Sequence, residues 1–265
     1  MHDQVALFCR TFGITAEDLR GKRLLEVGSG LGIFVAVLRR DYGVEAFGIE
    51  PASIGFDTSF QLAREILAGY GLDPAIVIDA KGEQLPFPDN HFDLIFSSTV
   101  LEHTANPPQV LSEAIRVLKP EGRMQFVFPN YGAFFDGHYA LPWIPYMNKR
   151  CGKLWVRLWG RDPAFVDTLQ LTNYFSTRRW LKGREDICVK TYGEEIFRER
   201  MLGLKIKDWA GLGRIKRWLE IAHKFRIVPA LTWSLLKIKS FDPILLSLIK
   251  RPVQSDTHLG QKNPR

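Results

Sequence analysis

The feature that most constrains this chain is a cluster of three glycines between an apolar strand pattern and an apolar helix pattern. Leu24-Leu25-Glu26-Val27 runs directly into Gly28-Ser29-Gly30-Leu31-Gly32, and an apolar stretch then reaches Tyr42 and stops at Gly43. A strand that turns straight into a helix needs residues without a Cβ, both for the backbone angles and to let a ligand press on the main chain. The first N–H groups of the helix have no partner inside it and point at whatever is bound. The same alternation continues downstream. Val44 to Ile49 reads as a strand, followed by a helix with Leu62, Ile66, Leu67 and Tyr70 on one face. Ala75 to Ile78 and Phe92 to Phe96 read as two further strands. A helix from Pro107 to Leu118 follows, opened by Asn106-Pro107-Pro108, and the turn Lys119-Pro120-Glu121-Gly122 leads to a fifth strand over Arg123 to Phe128. Upstream, Thr15 and Asp18 have the spacing of a capping box for a short helix ending near Gly21. Strand–helix alternation of this length predicts an α/β fold: a doubly wound, mostly parallel sheet with helices on both faces. Ligands then bind at the carboxyl ends of the strands, near the switch in strand order.

Two details of the turn narrow the ligand. A dinucleotide fingerprint has its third glycine three residues after the second. Here that position is Ile33, and the third glycine comes earlier, at Gly32. An acidic residue, Glu26, also stands two places before the first glycine, where it would repel a pyrophosphate and suit a ligand carrying an amino group and a sulfonium. S-adenosylmethionine is such a ligand. Glu50 ends the second strand, about 20 residues past the turn, where a carboxylate can accept hydrogen bonds from both ribose hydroxyls.

The second half is different. Residues 1–130 carry 11 Lys+Arg and 17 Asp+Glu, a net of −6, whereas residues 131–265 carry 25 and 12, a net of +13. Regular alternation fades after Tyr131, and aromatics crowd residues 131–200. The reading is a core over 1–130, an aromatic-rich helical cap over 131–213, a basic apolar helix and late strand (Ile244 to Ile249) over 214–252, and a disordered tail over 253–265. Lys216, Arg217, Lys224, Lys237 and Lys239 alternate with Ile215, Trp218, Leu219, Trp233 and Leu236. That pattern fits a helix lying on an anionic membrane surface as well as one packed on the sheet with wet lysines. Cys9, Cys151 and Cys188 are far apart and show no metal-ligand spacing, so reduced thiols and no metal centre are expected. The first residues do not resemble a signal peptide, and no apolar run is long enough to span a bilayer. The expected location is the cytoplasm, with peripheral membrane contact as the variant.

The run Asp79-Ala80-Lys81-Gly82-Glu83-Gln84-Leu85-Pro86-Phe87-Pro88-Asp89-Asn90-His91-Phe92-Asp93 adds a family signature. Together with Ser97-Ser98-Thr99-Val100-Leu101-Glu102-His103 and Leu118-Lys119-Pro120-Glu121-Gly122, it resembles the class I S-adenosylmethionine-dependent methyltransferases of the type 11 domain. The branch with the ubiquinone and menaquinone biosynthesis enzymes looks nearest. The resemblance covers roughly residues 20–130. It implies a Rossmann-like, seven-stranded sheet with an inserted cap. It also implies that Glu26 and the backbone of Gly28, Ser29, Gly30 and Gly32 hold the methionine part. Glu50, with Pro51 beside it, would hold the ribose, Gly82 and Glu83 would lie along the adenine, and Ser98 and its neighbours would close over the methionine end. Lys81 departs from the family, which often has an aspartate there for the adenine amino group. Asp79, or a backbone carbonyl, would have to substitute.

Methyl transfer is a displacement at carbon in which the protein chiefly aligns the reactants, and a base is needed only when the acceptor must lose a proton. His103 and His138 are the candidate bases. Asn130, Tyr131 and Trp143, where the fifth strand enters the cap, are the candidate acceptor residues. The expected function is methylation, by O-methylation, of a small-molecule, glycan or lipid-linked acceptor. A quinone or polyketide-like acceptor and a non-catalytic adenosylmethionine-binding protein are the alternatives. The chain has no Asn/Asp-Pro-Pro-Tyr/Phe motif of the kind used on flipped bases, and no nucleic-acid partner is expected.

Overall fold

A computed structural model describes residues 1–52, 57–203 and 227–252 of the chain. Its centre is a seven-stranded sheet of β1 (Arg23–Val27), β2 (Glu45–Ile49), β3 (Val77–Ile78), β4 (Phe92–Ser98), β5 (Leu118–Phe128), β8 (Ile187–Thr191) and β9 (Ile244–Lys250). The spatial order is β3-β2-β1-β4-β5-β9-β8. β1 to β5 pair in parallel, and β9 runs antiparallel to both of its neighbours. The order reverses between β1 and β4, so the crevice opens at their carboxyl ends.

Strand alternation sorts the core into two faces. Leu24, Ala46, Leu94 and Phe96 join the cluster under α1 (His2–Phe12), α2 (Ile33–Tyr42) and α3 (Asp57–Gly69). Leu25, Val27, Ile95 and Phe126 join the cluster under α4 (Pro107–Val117), α7 (Tyr174–Trp180), α8 (Glu194–Leu202) and the last described helix, α9 (Ile227–Lys237). The doubly wound, mostly parallel sheet is therefore as expected.

The local signals resolve as hydrogen bonds. Thr15 N donates to Asp18 Oδ2 at 2.8 Å and Asp18 N to Thr15 Oγ1 at 3.4 Å, closing the capping box around a 3-10 turn at Glu17–Leu19. Asn106 caps α4, its Oδ1 accepting from Gln109 N. The Lys119–Gly122 turn is absorbed into β5 as an irregularity in its pairing with β4, with Glu121 at a φ of 64°.

Three expectations change. α3 buries only part of the face assigned to it: Leu67 is buried and Ile66 half-buried, as expected, but the buried stripe turns toward Ala63. Leu62 and Tyr70 are 41% and 47% exposed, whereas Ala63 and Leu67 are buried. Gly32 opens α2 directly over Ala63, and only a small side chain fits there. The segment 131–213 is not wholly a helical cap. Its first part holds a hairpin of β6 (Phe135–Asp136) and β7 (Leu141–Pro142), followed by α5 (Lys149–Leu158) and α6 (Ala164–Thr168) around Tyr131, Trp143, Val156, Val166 and Leu169. From α7 onward the chain returns to the main core, and β8 completes the sheet. β8, Ile-Cys-Val-Lys-Thr, is half-buried along most of its length, which weakens its apolar signal. Finally, the basic apolar helix is described only from Ile227. Its earlier part and the tail after Pro252 lie outside the described residues.

Candidate active site

A cavity of about 630 Å³ lies at the carboxyl ends of β1, β2 and β4. One wall is the glycine turn. Gly28, Gly30 and Gly32 have φ angles of 71°, 51° and 68°, a region that side chains disfavour. The turn is bound to the second strand, because Ser29 N donates to Ile49 O at 2.9 Å and Gly30 N to Glu50 Oε2 at 2.9 Å. Gly28 also has a packing reason to be glycine: a Cβ there would lie 2.3 Å from Val100 Cγ2.

Two buried carboxylates face this wall. Glu26 sits at an inward position of β1, on the face shared with Leu24, where an apolar residue would normally stand. Its Oε2 has no hydrogen-bond partner among the described residues. Burial, reinforced by the nearby Glu50 charge, drives its pKa well above the usual carboxylate value, against the opposing effect of the Val35 N–H. Burial raises Glu50 as well, against the Gly30 N–H. An orphaned carboxylate oxygen on a glycine-lined cavity is a receptor for a cationic donor such as an amino group.

Of the predicted cofactor residues, Glu26, Gly28, Ser29, Gly30, Glu50, Pro51, Gly82, Glu83 and Ser98 line the cavity. Gly32 stands back at the N-cap of α2, where its N–H donates to Ser29 O. The Glu83 carboxylate is already engaged, accepting from Ala105 N and Asn106 N, so it fixes the loop before α4. Asp79 accepts from Ala52 N and is not a lining residue, whereas the exposed Lys81 is. Sequence reading missed Met1 and Gln4, which bring α1 over the cavity. The signal was available in Val5, Phe8, Cys9 and Phe12, spaced as one helical face. Thr99, among the neighbours of Ser98 expected at the methionine end, is a β-branched lining residue held at a φ of 55° just past β4.

Beyond Ser98 the Leu101–His103 turn buries Glu102 and presents His103 to the cavity. Glu102 is 0% exposed and neither carboxylate oxygen has a hydrogen-bond partner among the described residues. Burial raises its pKa to about 7. His138 arrives from the β6–β7 hairpin, its ring edge-on to His103 with centroids 5.4 Å apart. His138 Nδ1 lies 3.1 Å from Tyr131 Oη and 3.4 Å from Asp136 Oδ1. The Asp136 contact raises the His138 pKa against burial, while burial and the His138 charge lower that of His103. The two histidines chosen from sequence thus come together, but only His103 reaches the cavity wall.

The three acceptor candidates do not line this cavity. Asn130 is buried, and its amide donates to Lys239 O and Phe241 O while its Oδ1 accepts from Gly132 N. Trp143 is 3% exposed and packs inside the cap core. Tyr131 is buried between Trp143 and His138, where its hydroxyl positions the histidine. Aromatic density in the cap is chiefly packing, and polar residues at the strand–cap junction are consumed in joining the two.

Residues 25–126 match the family described as methyltransferase domain. An uncharacterized methyltransferase of Mycobacterium avium is 34% identical over 122 residues, covering 46% of this chain and 45% of that protein. A glycine/sarcosine/dimethylglycine N-methyltransferase of Actinopolyspora halophila is 34% identical over 108 residues, covering 40% of this chain and 18% of that one. The match thus spans under half the length of these curated relatives. Among solved structures, phosphoethanolamine N-methyltransferase 2 of Haemonchus contortus, in complex with S-adenosyl-L-methionine, superposes with a TM-score of 0.55 at 18% identity, covering 94% of this chain and 52% of that one. That level of identity speaks for the fold alone. The sheet order and the glycine turn agree with the domain match: residues 25–126 match a methyltransferase domain, on a fold shared with solved S-adenosylmethionine-dependent methyltransferases.

Proposed function

We propose that the chain is an S-adenosylmethionine-dependent methyltransferase acting on the hydroxyl of a small-molecule, glycan or lipid-linked acceptor. The observation that carries this reading is the buried, unpartnered Oε2 of Glu26 beside the Gly28–Gly30 cradle. Glu26 would receive the amino group of the cofactor's methionine part. The free Glu50 oxygen would accept from the ribose, its other oxygen being held by Gly30. Gly82 and the Glu83 backbone would flank the adenine, with Lys81 at the open edge. When bound, the cofactor supplies an electrophilic methyl group on a sulfonium, and its transfer leaves a neutral thioether.

The remaining work belongs to the far wall. A hydroxyl is a poor nucleophile until its proton is drawn off, and the buried Glu102, the half-buried His103 and the exposed His138 gather basic groups at the cavity wall. His103 would contact the acceptor, with Glu102 and His138 behind it. An amine acceptor is the second reading, favoured by the N-methyltransferase named among the relatives. It would also have to be deprotonated before attack.

A membrane-bound acceptor is consistent with two exposed surfaces. On α5, Leu154 and Leu158 project among Arg150 and Arg157, with Trp159 just beyond. On α9, Trp233 is exposed beneath Lys237, whose Nζ lies 4.7 Å from the ring centroid. Flotation with anionic vesicles tests this element, and a protein that stays at the bottom of the gradient removes it.

The function itself is tested by turnover of methyl-labelled adenosylmethionine against fractionated cell extract, with Glu50→Ala as control. That variant is expected to lose about 1–3 kcal/mol of cofactor affinity. No calorimetric binding of the cofactor to the unaltered protein would sink the enzyme reading, and label on nitrogen would select the amine acceptor.

A further inference from the structure

Glu102, His103 and His138 have a second property that sequence spacing could not reveal. One ligand atom from each lies within 4.8 Å of the others, and Glu102 Oε1 is 3.9 Å from His103 Nε2. We propose that these three residues bind a divalent first-row transition metal at the wall of the cofactor cavity. The donor set, two imidazoles and one carboxylate with open positions, suits zinc, iron, cobalt or nickel.

Three observations support the assignment. A carboxylate fully removed from solvent needs a cation or a set of donors, and both Glu102 oxygens lack a hydrogen-bond partner among the described residues. His138 is oriented as metal-bound histidines are: Nδ1 faces Asp136 and Tyr131, leaving Nε2 as the free donor. Finally, His103 lines the cavity, so a metal held there would expose its remaining positions to an acceptor.

Donors at about 2.0–2.2 Å from a tetrahedral metal stand roughly 3.3–3.6 Å apart. The present spread is wider, and modest side-chain rotation would close it. The hairpin that carries Asp136 and His138 belongs to the cap, while Glu102 and His103 belong to the core. The metal would therefore tie the cap to the core at the reaction site. Its role toward the acceptor rests on the proposed methyl transfer: a hydroxyl bound to the metal would release its proton to solvent water at a lower pH than a free one and attack the methyl group as the alkoxide, so in the metal-bound protein His103 serves as a ligand and not as the base. The metal site itself does not depend on that reading.

The test uses the full chain stripped with EDTA and titrated with Co²⁺, whose visible absorption reports imidazole coordination. The expected result is one Co²⁺ per chain, displaced by Zn²⁺. His138→Ala and Glu102→Gln are each expected to abolish the spectrum, and Asp136→Asn to weaken binding about 10–100-fold by releasing the His138 ring. Circular dichroism checks that each variant is folded, and the isosteric Glu102→Gln keeps the test decisive if His138→Ala is not. Absence of saturable Co²⁺ binding, or binding that survives Glu102→Gln and His138→Ala unchanged, overturns the proposal. Calorimetry with S-adenosylhomocysteine on the metal-free protein tests the cofactor reading separately, so a failed metal site and a failed methyltransferase assignment give different results.

Discussion

Replacing Glu26 by glutamine should move stability and cofactor affinity in opposite directions. In the ligand-free protein Glu26 is a buried carboxylate with an orphan oxygen and a second carboxylate, Glu50, close by. Its folded pKa is raised far above the ordinary value, so the native state holds this proton more tightly than the unfolded chain. The stability contributed by that proton is complete below the unfolded pKa, roughly 4.3, and is lost as pH rises toward the folded pKa. Across that window the unaltered protein loses up to about 1.4 kcal/mol per pH unit relative to Glu26→Gln, which has no charge to bury. At pH 8 the variant should be more stable by about 1–3 kcal/mol, the cost of an unsatisfied buried group. That corresponds to roughly 2–12 °C in Tm for a domain of this size. At pH 4 the two proteins should melt together. Cofactor binding should change the other way. Losing a charge-assisted hydrogen bond to the amino group removes about 1.5–3 kcal/mol, or roughly 10–150-fold in Kd. Thermal melts from pH 4 to 9 and calorimetry with S-adenosylhomocysteine read the two effects separately. A variant that melts lower at pH 8, or binds with unchanged affinity, refutes the assignment of Glu26 as a ligand group kept at the expense of stability.

Other consequences are equally direct. Gly28→Ala combines a φ of 71° with a Cβ 2.3 Å from Val100, and should destabilise by about 2–4 kcal/mol in urea unfolding. Adding Val100→Ala should restore only the steric part. Arg116 donates to Glu113, Asp89, Leu85 O and Phe87 O, bracing the loop that leads to β4. Arg116→Met should cost about 2–3 kcal/mol. Because Arg116 holds the Glu113 pKa below its usual value, that stability is present above the unfolded carboxylate pKa and is lost as pH falls through the folded one. The difference between the two proteins should therefore shrink in acid. Trp143→Ala should open a cavity in the cap core, with a cost of about 3–5 kcal/mol. Limited proteolysis should then cut between residues 131 and 172 while S-adenosylhomocysteine binding persists. Loss of that binding would show that the cap and the cofactor cavity are not separable.

The sequence by itself determined the parts of this protein whose signals are local. The capping box at Thr15 and Asp18 and the helix start at Asn106 need only neighbouring residues and close on hydrogen bonds among them, and the glycine turn closes locally from Gly32 N to Ser29 O before the second strand ties it down. Glu26 and Glu50 were also legible, from a carboxylate two places before the first glycine and another at the end of the next strand, about 20 residues past the turn. What the tertiary structure decided depended on long-range contact. β8 was hidden because a half-buried strand inserted beside β9 carries little periodicity. The choice of buried face on α3 waited on Gly32 pressing against Ala63. Asn130 and Trp143 carried suggestive side chains that the fold spent on joining and filling the cap. Glu102 and His103 are 36 and 35 residues from His138 in the chain, and only the cap folded over the β4 end brings the three ligand atoms within 4.8 Å. Backbone angles and caps are fixed by a few adjacent residues, whereas a cluster of side chains from two separate elements exists only once the packing between those elements is set.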